Sequence, residues 1–159
     1  ANLALCEKNP AYRCWDEKDP LFSANTVLPT TKIVQSEIRK SVIAEGCHLI
    51  NSSLENCIIG LRAIVSSGAQ IRKAVLMGAD FYESSSRKDQ SKKAGLPLIG
   101  IGENCRLERV IIDKNARIGD NVVLQGAPGK PDCDGPGWAI RDGIVVVEKN
   151  AVIPSNTTV

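Results

Sequence analysis

Between Ile101 and Leu124 the chain reads I-G-E-N-C-R-L-E-R-V-I-I-D-K-N-A-R-I-G-D-N-V-V-L. Large aliphatics fall at Ile101, Leu107, Ile112, Ile118 and Leu124, in steps of six, five, six and six. An amphipathic helix repeats its apolar residues roughly every three to four positions, and a half-buried strand about every two. Neither period fits. Two residues before Leu107 and Ile118 stand the small residues Cys105 and Ala116, preceded by Asn104 and Asn115. One large and one small inward side chain per short step suits a solenoid of straight segments joined by tight corners. Asn and Gly belong at such corners because they adopt positive φ at little cost.

The phrase recurs. Gly46-Cys47-His48-Leu49, Gly68-Ala69-Gln70-Ile71 and Asn150-Ala151-Val152-Ile153 repeat the order corner, small, variable, aliphatic; Asn56-Cys57-Ile58-Ile59 and Asn156-Thr157-Thr158-Val159 are looser copies. Ile33, Ile38, Ile43, Leu49, Leu54, Ile59, Val65, Ile71 and Leu76 extend the inward set towards the N-terminus. Parallel rungs lie ~4.8 Å apart, so each inward residue is expected to stack on its counterpart one coil away. The expected fold is all-β, a parallel β-helix. Hexapeptide steps are the usual mark of the left-handed kind, against the right-handed crossover rule.

Composition agrees with a stacked aliphatic core. Hydrophobic residues make up 43% of the 159 positions but aromatics only 4%, and aliphatics of similar size pile into columns with few voids. A net charge of +2 is too small to argue for nucleic acid or a membrane surface. Cys47, Cys57 and Cys105 occupy the small inward slot and are expected to act as small hydrophobes. Cys6, Cys14 and Cys133 fall in irregular stretches, free or paired, and no CxxC spacing points to a metal. A reducing compartment is expected.

Residues 1–32 carry Pro10, Pro20 and Pro29 and no repeat. Asn2 to Lys8 reads as the tail of a helix, and the prolines favour an extended connector beyond it. Tyr12, Trp15, Leu21, Phe22 and Leu28 are too apolar for a free linker, so the connector is expected to lie against a surface and to join residues 33–159 to a further domain. Two stretches interrupt the repeat. Residues 83–98 predict a short helix capped by Ser84 to Ser86 and stopped at Gly95 before Pro97, with Arg87, Lys88, Lys92 and Lys93 on a solvated face. Residues 125–141 are rich in Gly and Pro and predict a projecting loop.

Several phrases carry a family resemblance. M-G-A-D-F-Y-E at 77–83, I-G-I-G-E-N-C at 99–105, I-I-D-K-N-A-R-I-G-D-N-V at 111–122 and R-D-G-I-V-V-V-E-K-N-A-V-I-P at 141–154 resemble the C-terminal domain of ADP-glucose pyrophosphorylase (glucose-1-phosphate adenylyltransferase), and L-P-T-T-K-I at 28–33 resembles that family's connector. The plant and algal enzymes are most similar, and Gly46–Arg62 is nearer the large-subunit type. The resemblance implies a regulatory and assembly domain of a nucleotidyltransferase of starch or glycogen biosynthesis, inactive alone and sited in a plastid if plant or algal, otherwise in the cytoplasm. It implies a separate ATP-binding catalytic domain that uses magnesium, no cofactor in these residues, and assembly into tetramers, either of small and large subunits or of one kind. No Gly-rich phosphate loop opens a helix here.

The resemblance also implies a site for small anionic effectors, 3-phosphoglycerate and phosphate. Its two lysines fall on Lys114 and Lys149, with Asp80 and Asp120 matching acids near the same site. The residues agree on placement. Lys114 and Lys149 each precede an N-A-x-I corner, so equivalent positions on stacked coils would put two ammonium groups on one edge. Two other readings stand beside this one. Hexapeptide solenoids also build trimeric acyltransferases, and His48, the chain's one histidine, occupies an outward variable slot. A purely structural module could pair subunits through aliphatic edges near residues 38–42 and 58–61.

Overall fold

The computed structural model describes residues 2–10 and 27–159. A 3-10 turn spans Asn2–Cys6, where the sequence suggested a helix tail. The strands follow as β1 (Lys32–Val34), β2 (Glu37–Arg39), β3 (Val42–Ile43), β4 (His48–Ile50), β5 (Ser53–Glu55), β6 (Ile58–Ile59), β7 (Ile64–Val65), β8 (Gln70–Arg72) and β9 (Val75–Leu76). Helix α1 (Ser85–Lys93) precedes β10 (Gly100–Ile101), β11 (Arg106–Glu108), β12 (Val110–Ile112), β13 (Arg117–Ile118) and β14 (Val123–Gln125). A hairpin of β15 (Cys133–Gly135) and β16 (Trp138–Arg141) leads to β17 (Ile144–Val147) and β18 (Val152–Ile153).

Every third strand of the regular coils joins the same sheet. The first sheet runs β1-β4-β7-β10-β13-β18, the second β14-β11-β8-β5-β2, and the third β15-β16-β17-β12-β9-β6-β3. Pairing along the coils is parallel, with Lys32 opposite His48 and Gly100 opposite Arg117, so a regular coil takes sixteen or seventeen residues. Three sheets wrapped round one axis make a triangular prism.

The inward columns form as the spacing predicts. Leu49, Val65, Ile101, Ile118 and Ile153 stack in the first sheet, Leu54, Ile71, Leu107 and Leu124 in the second, and Ile59, Leu76, Ile112 and Val147 in the third, all buried. Each such side chain is worth about 1.5–3 kcal/mol of burial. Ile38 and Ile43 are only partly buried, and Ile33 is 48% exposed. These three belong to the first coil, which among the described residues has a neighbouring coil on one side only.

Cys47, Cys57 and Cys105 are fully buried in the small slot. The Cys47 and Cys105 thiols donate to the carbonyls of Gly60 and Gly119, at 3.1 Å each. Burial pushes all three thiols above their ordinary pKa, so they stay neutral at physiological pH. Cys6 and Cys133 are free; Cys14, like Tyr12, Trp15, Leu21 and Phe22, lies outside the described residues.

The corners follow the asparagine and glycine pattern. Asn51, Asn56, Asn104, Asn115, Asn121, Asn150 and Asn156, with Gly46 and Gly68, all have positive φ and precede a small inward residue. Gln35, Lys40, Arg62, Lys73 and Arg109 do the same work in the left-handed region, which costs an ordinary residue roughly 1–2 kcal/mol.

Both interruptions leave the prism intact. Ser84 caps α1 by accepting from the Arg87 N–H, and the helix ends at Ala94 before Gly95, as the sequence predicts. The second interruption differs from the projecting loop expected there. Residues 133–141 fold back as the antiparallel hairpin β15–β16, which pairs with β17 and extends the third sheet. Trp138 and Ile140 pack against the core, giving the Gly/Pro-rich segment an apolar anchor.

Candidate anion site at the corner between the third and first sheets

Five corner turns stack where the chain passes from the third sheet to the first, tied by a backbone ladder. The N–H of Arg62 donates to Glu45, that of Ala79 to Leu61, that of Asn115 to Gly78 and that of Asn150 to Lys114. Lys114 and Lys149 therefore occupy equivalent positions on adjacent turns, as their sequence context implied. Asn115 (φ 61°) and Asn150 (φ 60°) make the turns, and the Asn115 Nδ2 donates to Asn150 Oδ1 at 3.2 Å.

On the preceding turn the chain leaves the prism for the first interruption. Gly78 (φ 82°) makes that departure, packed so closely on Leu61 that a Cβ would run into its carbonyl oxygen. Ala79 still points inward, and Asp80 then turns back over the two lysines. Its Oδ1 is 3.0 Å from Lys114 Nζ and its Oδ2 3.0 Å from Lys149 Nζ. Asn115 completes the hold from both ends of its amide: Nδ2 donates to Asp80 Oδ2 at 3.0 Å, and Oδ1 accepts the Asp80 N–H at 2.8 Å.

One carboxylate between two ammonium groups leaves the cluster with a surplus positive charge. The Lys114 hydrogen bond, then those of Lys149 and Asn115, hold the Asp80 carboxyl far below the usual carboxylate range. The lysine side chains are 44% and 51% exposed, so a solute can reach both. Asp80 holds the two ammonium groups together on one exposed edge of the prism.

Asp120 is elsewhere. It lies at the corner between the first and second sheets, where Oδ1 accepts the Glu103 N–H at 2.8 Å and its own N–H donates to Ser155 Oγ at 2.9 Å. In sequence it holds the same place before Asn121 that Lys114 holds before Asn115, and only the order of the strands shows that it falls at a different corner. His48 is exposed on the first sheet, its ring 6.4 Å from that of Tyr82.

Sequence reasoning missed the pair that fixes the loop carrying Asp80. Glu83, with a side chain only 3% exposed, receives Arg117 Nη2 at 2.6 Å and the Ile99 N–H at 2.8 Å. Arg117 also donates to the Pro97 carbonyl at 2.7 Å and to Ser91. The rung strand β13 thus grips both ends of the excursion through one guanidinium. Among the described residues no group of three or more His, Cys, Asp or Glu converges on a possible metal site.

The family model of the GLGC left-handed parallel beta-helix domain matches residues 26–158. The chain belongs to this family. The GLGC-type prism is accordingly left-handed, against the usual crossover rule. A glucose-1-phosphate adenylyltransferase small subunit of wheat (Triticum aestivum), described as chloroplastic/amyloplastic, is 39% identical over 163 aligned positions. That alignment takes in all of this chain and 34% of the wheat protein. The GLGC-type chain thus spans about a third of the length of this curated relative, which is described as a small subunit.

Proposed function

We propose that the chain serves as the regulatory and assembly domain of a plastid glucose-1-phosphate adenylyltransferase, and that Lys114 and Lys149 form its half of an effector site for 3-phosphoglycerate and phosphate. The observation that carries this reading is the shared hold of the two lysines on Asp80, at 3.0 Å each. Ligand phosphate or carboxylate oxygens replace the Asp80 carboxylate between the same two ammonium groups and make charge-assisted bonds of the same kind. Asp80 then orients the lysines when the site is empty and competes when it is full. Family membership and the wheat relative's printed activity support the assignment to this enzyme class. The remaining parts of the reading are a catalytic domain with its magnesium and ATP site, partner subunits, and residues 1–32 as the connector.

The test joins this chain to a catalytic domain and partner subunit and measures ADP-glucose synthesis against 3-phosphoglycerate. Lys114→Ala and Lys149→Ala are expected to raise the activator concentration needed while unstimulated activity persists. Unchanged activation curves in both variants would leave the domain an assembly scaffold.

A further inference from the structure

A second corner of the prism carries a separate concentration of positive charge. Where the chain passes from the second sheet to the third, Lys40, Asn56, Lys73 and Arg109 take the left-handed corner position on successive coils. Asn and Gly fill most corners elsewhere because they tolerate this conformation; Lys and Arg gain nothing from it. Strained backbone held by long cationic side chains at one edge is a reason to look for a ligand.

The surroundings supply a place for one. Lys73, Glu108 and Arg109 on the rungs face Gly126, Pro128 and Lys130 of the second interruption across a groove of about 690 Å³. Arg109 Nε is buried and has no hydrogen-bond partner, and none of the carboxylates among the described residues lies within ion-pair distance of its guanidinium. The groove's one opposing acid, Glu108, is 3.5 Å from Lys73 Nζ in a partly exposed pair that gives up little when broken. Lys130 Nζ rests on the Gln125 carbonyl at 3.0 Å, a neutral partner that an anion outcompetes.

We propose that this groove is an anion site distinct from the Lys114–Lys149 corner, in which Arg109 and Lys73, with Lys130 from the opposite wall, take the phosphate group of a small solute. A planar guanidinium offers a phosphate two parallel N–H donors, and the two ammonium groups supply the balancing charge. The open groove admits either free phosphate or a small phosphate ester.

The experiment follows backbone amide shifts of the whole chain during titration with inorganic phosphate, and in a second arm with glycerol 3-phosphate. Lys73→Asn with Arg109→Asn is the informative variant, because asparagine suits the corner conformation and removes both cations. The expected result is saturable shifts around residues 73, 109 and 126–130 that persist in Lys114→Ala/Lys149→Ala and weaken by about tenfold or more in the asparagine variant. Tighter response to the ester than to phosphate would assign the site to esters, and the reverse to the free ion. Equal affinity in the asparagine variant and the unmodified chain, or the same shifts from chloride at matched ionic strength, would overturn the proposal.

Discussion

The two interruptions of the prism are held in opposite ways. Residues 77–99 leave at a corner, and α1 buries only Ser91 of its own residues. Its hold on the coil centres on charge, the Arg117–Glu83 pair and the backbone groups those two side chains satisfy. Residues 126–143 instead join a sheet, through the β15–β16–β17 ladder and the apolar contacts of Trp138 and Ile140. Sheet pairing fixes a segment along its length; a buried ion pair fixes it at one point and leaves the rest free to present side chains. The ion-pair arrangement, which holds residues 77–99, suits the role proposed for that segment, in which Asp80 lies over two lysines and gives way to an anion.

The largest effect should come from Arg117→Ala. It strands Glu83 with its carboxylate buried, a loss of about 3–5 kcal/mol when one partner of such a pair is removed. Hydrogen exchange should speed up across residues 83–99 while the β11 and β14 amides stay protected; global unfolding at the same denaturant concentration would dissolve the contrast between the two segments. Trp138→Ala should cost less, about 2 kcal/mol, because the side chain is only partly buried, and the denaturation midpoint reads it. In that variant the hairpin amides should lose protection and those of residues 77–99 should not.

Asp80→Asn is the smallest change in stability and the sharpest in binding. A carboxamide cannot neutralise two ammonium groups, so phosphate should bind the lysine corner more tightly, on the order of threefold to tenfold. The pH dependence has a definite sign. Asp80 is held below its unfolded pKa, so its stabilisation is fully present above the ordinary carboxylate range and is lost as pH falls through and beneath it. Urea melts of the parent and Asp80→Asn chains should converge in strong acid and separate near neutrality. A constant gap across that range would mean that the carboxylate contributes nothing through its charge.

Much of the prism was legible in the sequence because one physical constraint repeats. Every coil must turn three times, and the inward large residue and the small slot before it recur with each turn. Asn115 and Asn150 announced their corners; Lys73 and Arg109 did not, because nothing in a long cation favours positive φ. The hairpin at 133–141 was hidden by composition: Gly and Pro suggested a loop, while only the pairing partner β17 shows why those residues extend. The lysines' shared edge could be read from their place before each small slot. The contact with Asp80 could not, since the acid arrives by a departure at Gly78 that no period encodes. Asp120 matches a site acid in its phrase and precedes Asn121 as Lys114 precedes Asn115, but the repeat marks a corner without saying which of the three it is, and this one joins the first and second sheets.

The most direct measurement follows the Asn115 side-chain amide during titration of the chain with 3-phosphoglycerate. Its Nδ2 touches Asp80 Oδ2 and lies on the same corner as both lysines, so it reports on the carboxylate's position. If an anion displaces Asp80, the Asn115 amide resonance should shift saturably, and the shift should vanish in Lys114→Ala/Lys149→Ala. An Asn115 resonance that stays fixed while the Lys114 and Lys149 amides saturate would show that the anion binds without moving Asp80, and the displacement account would be wrong.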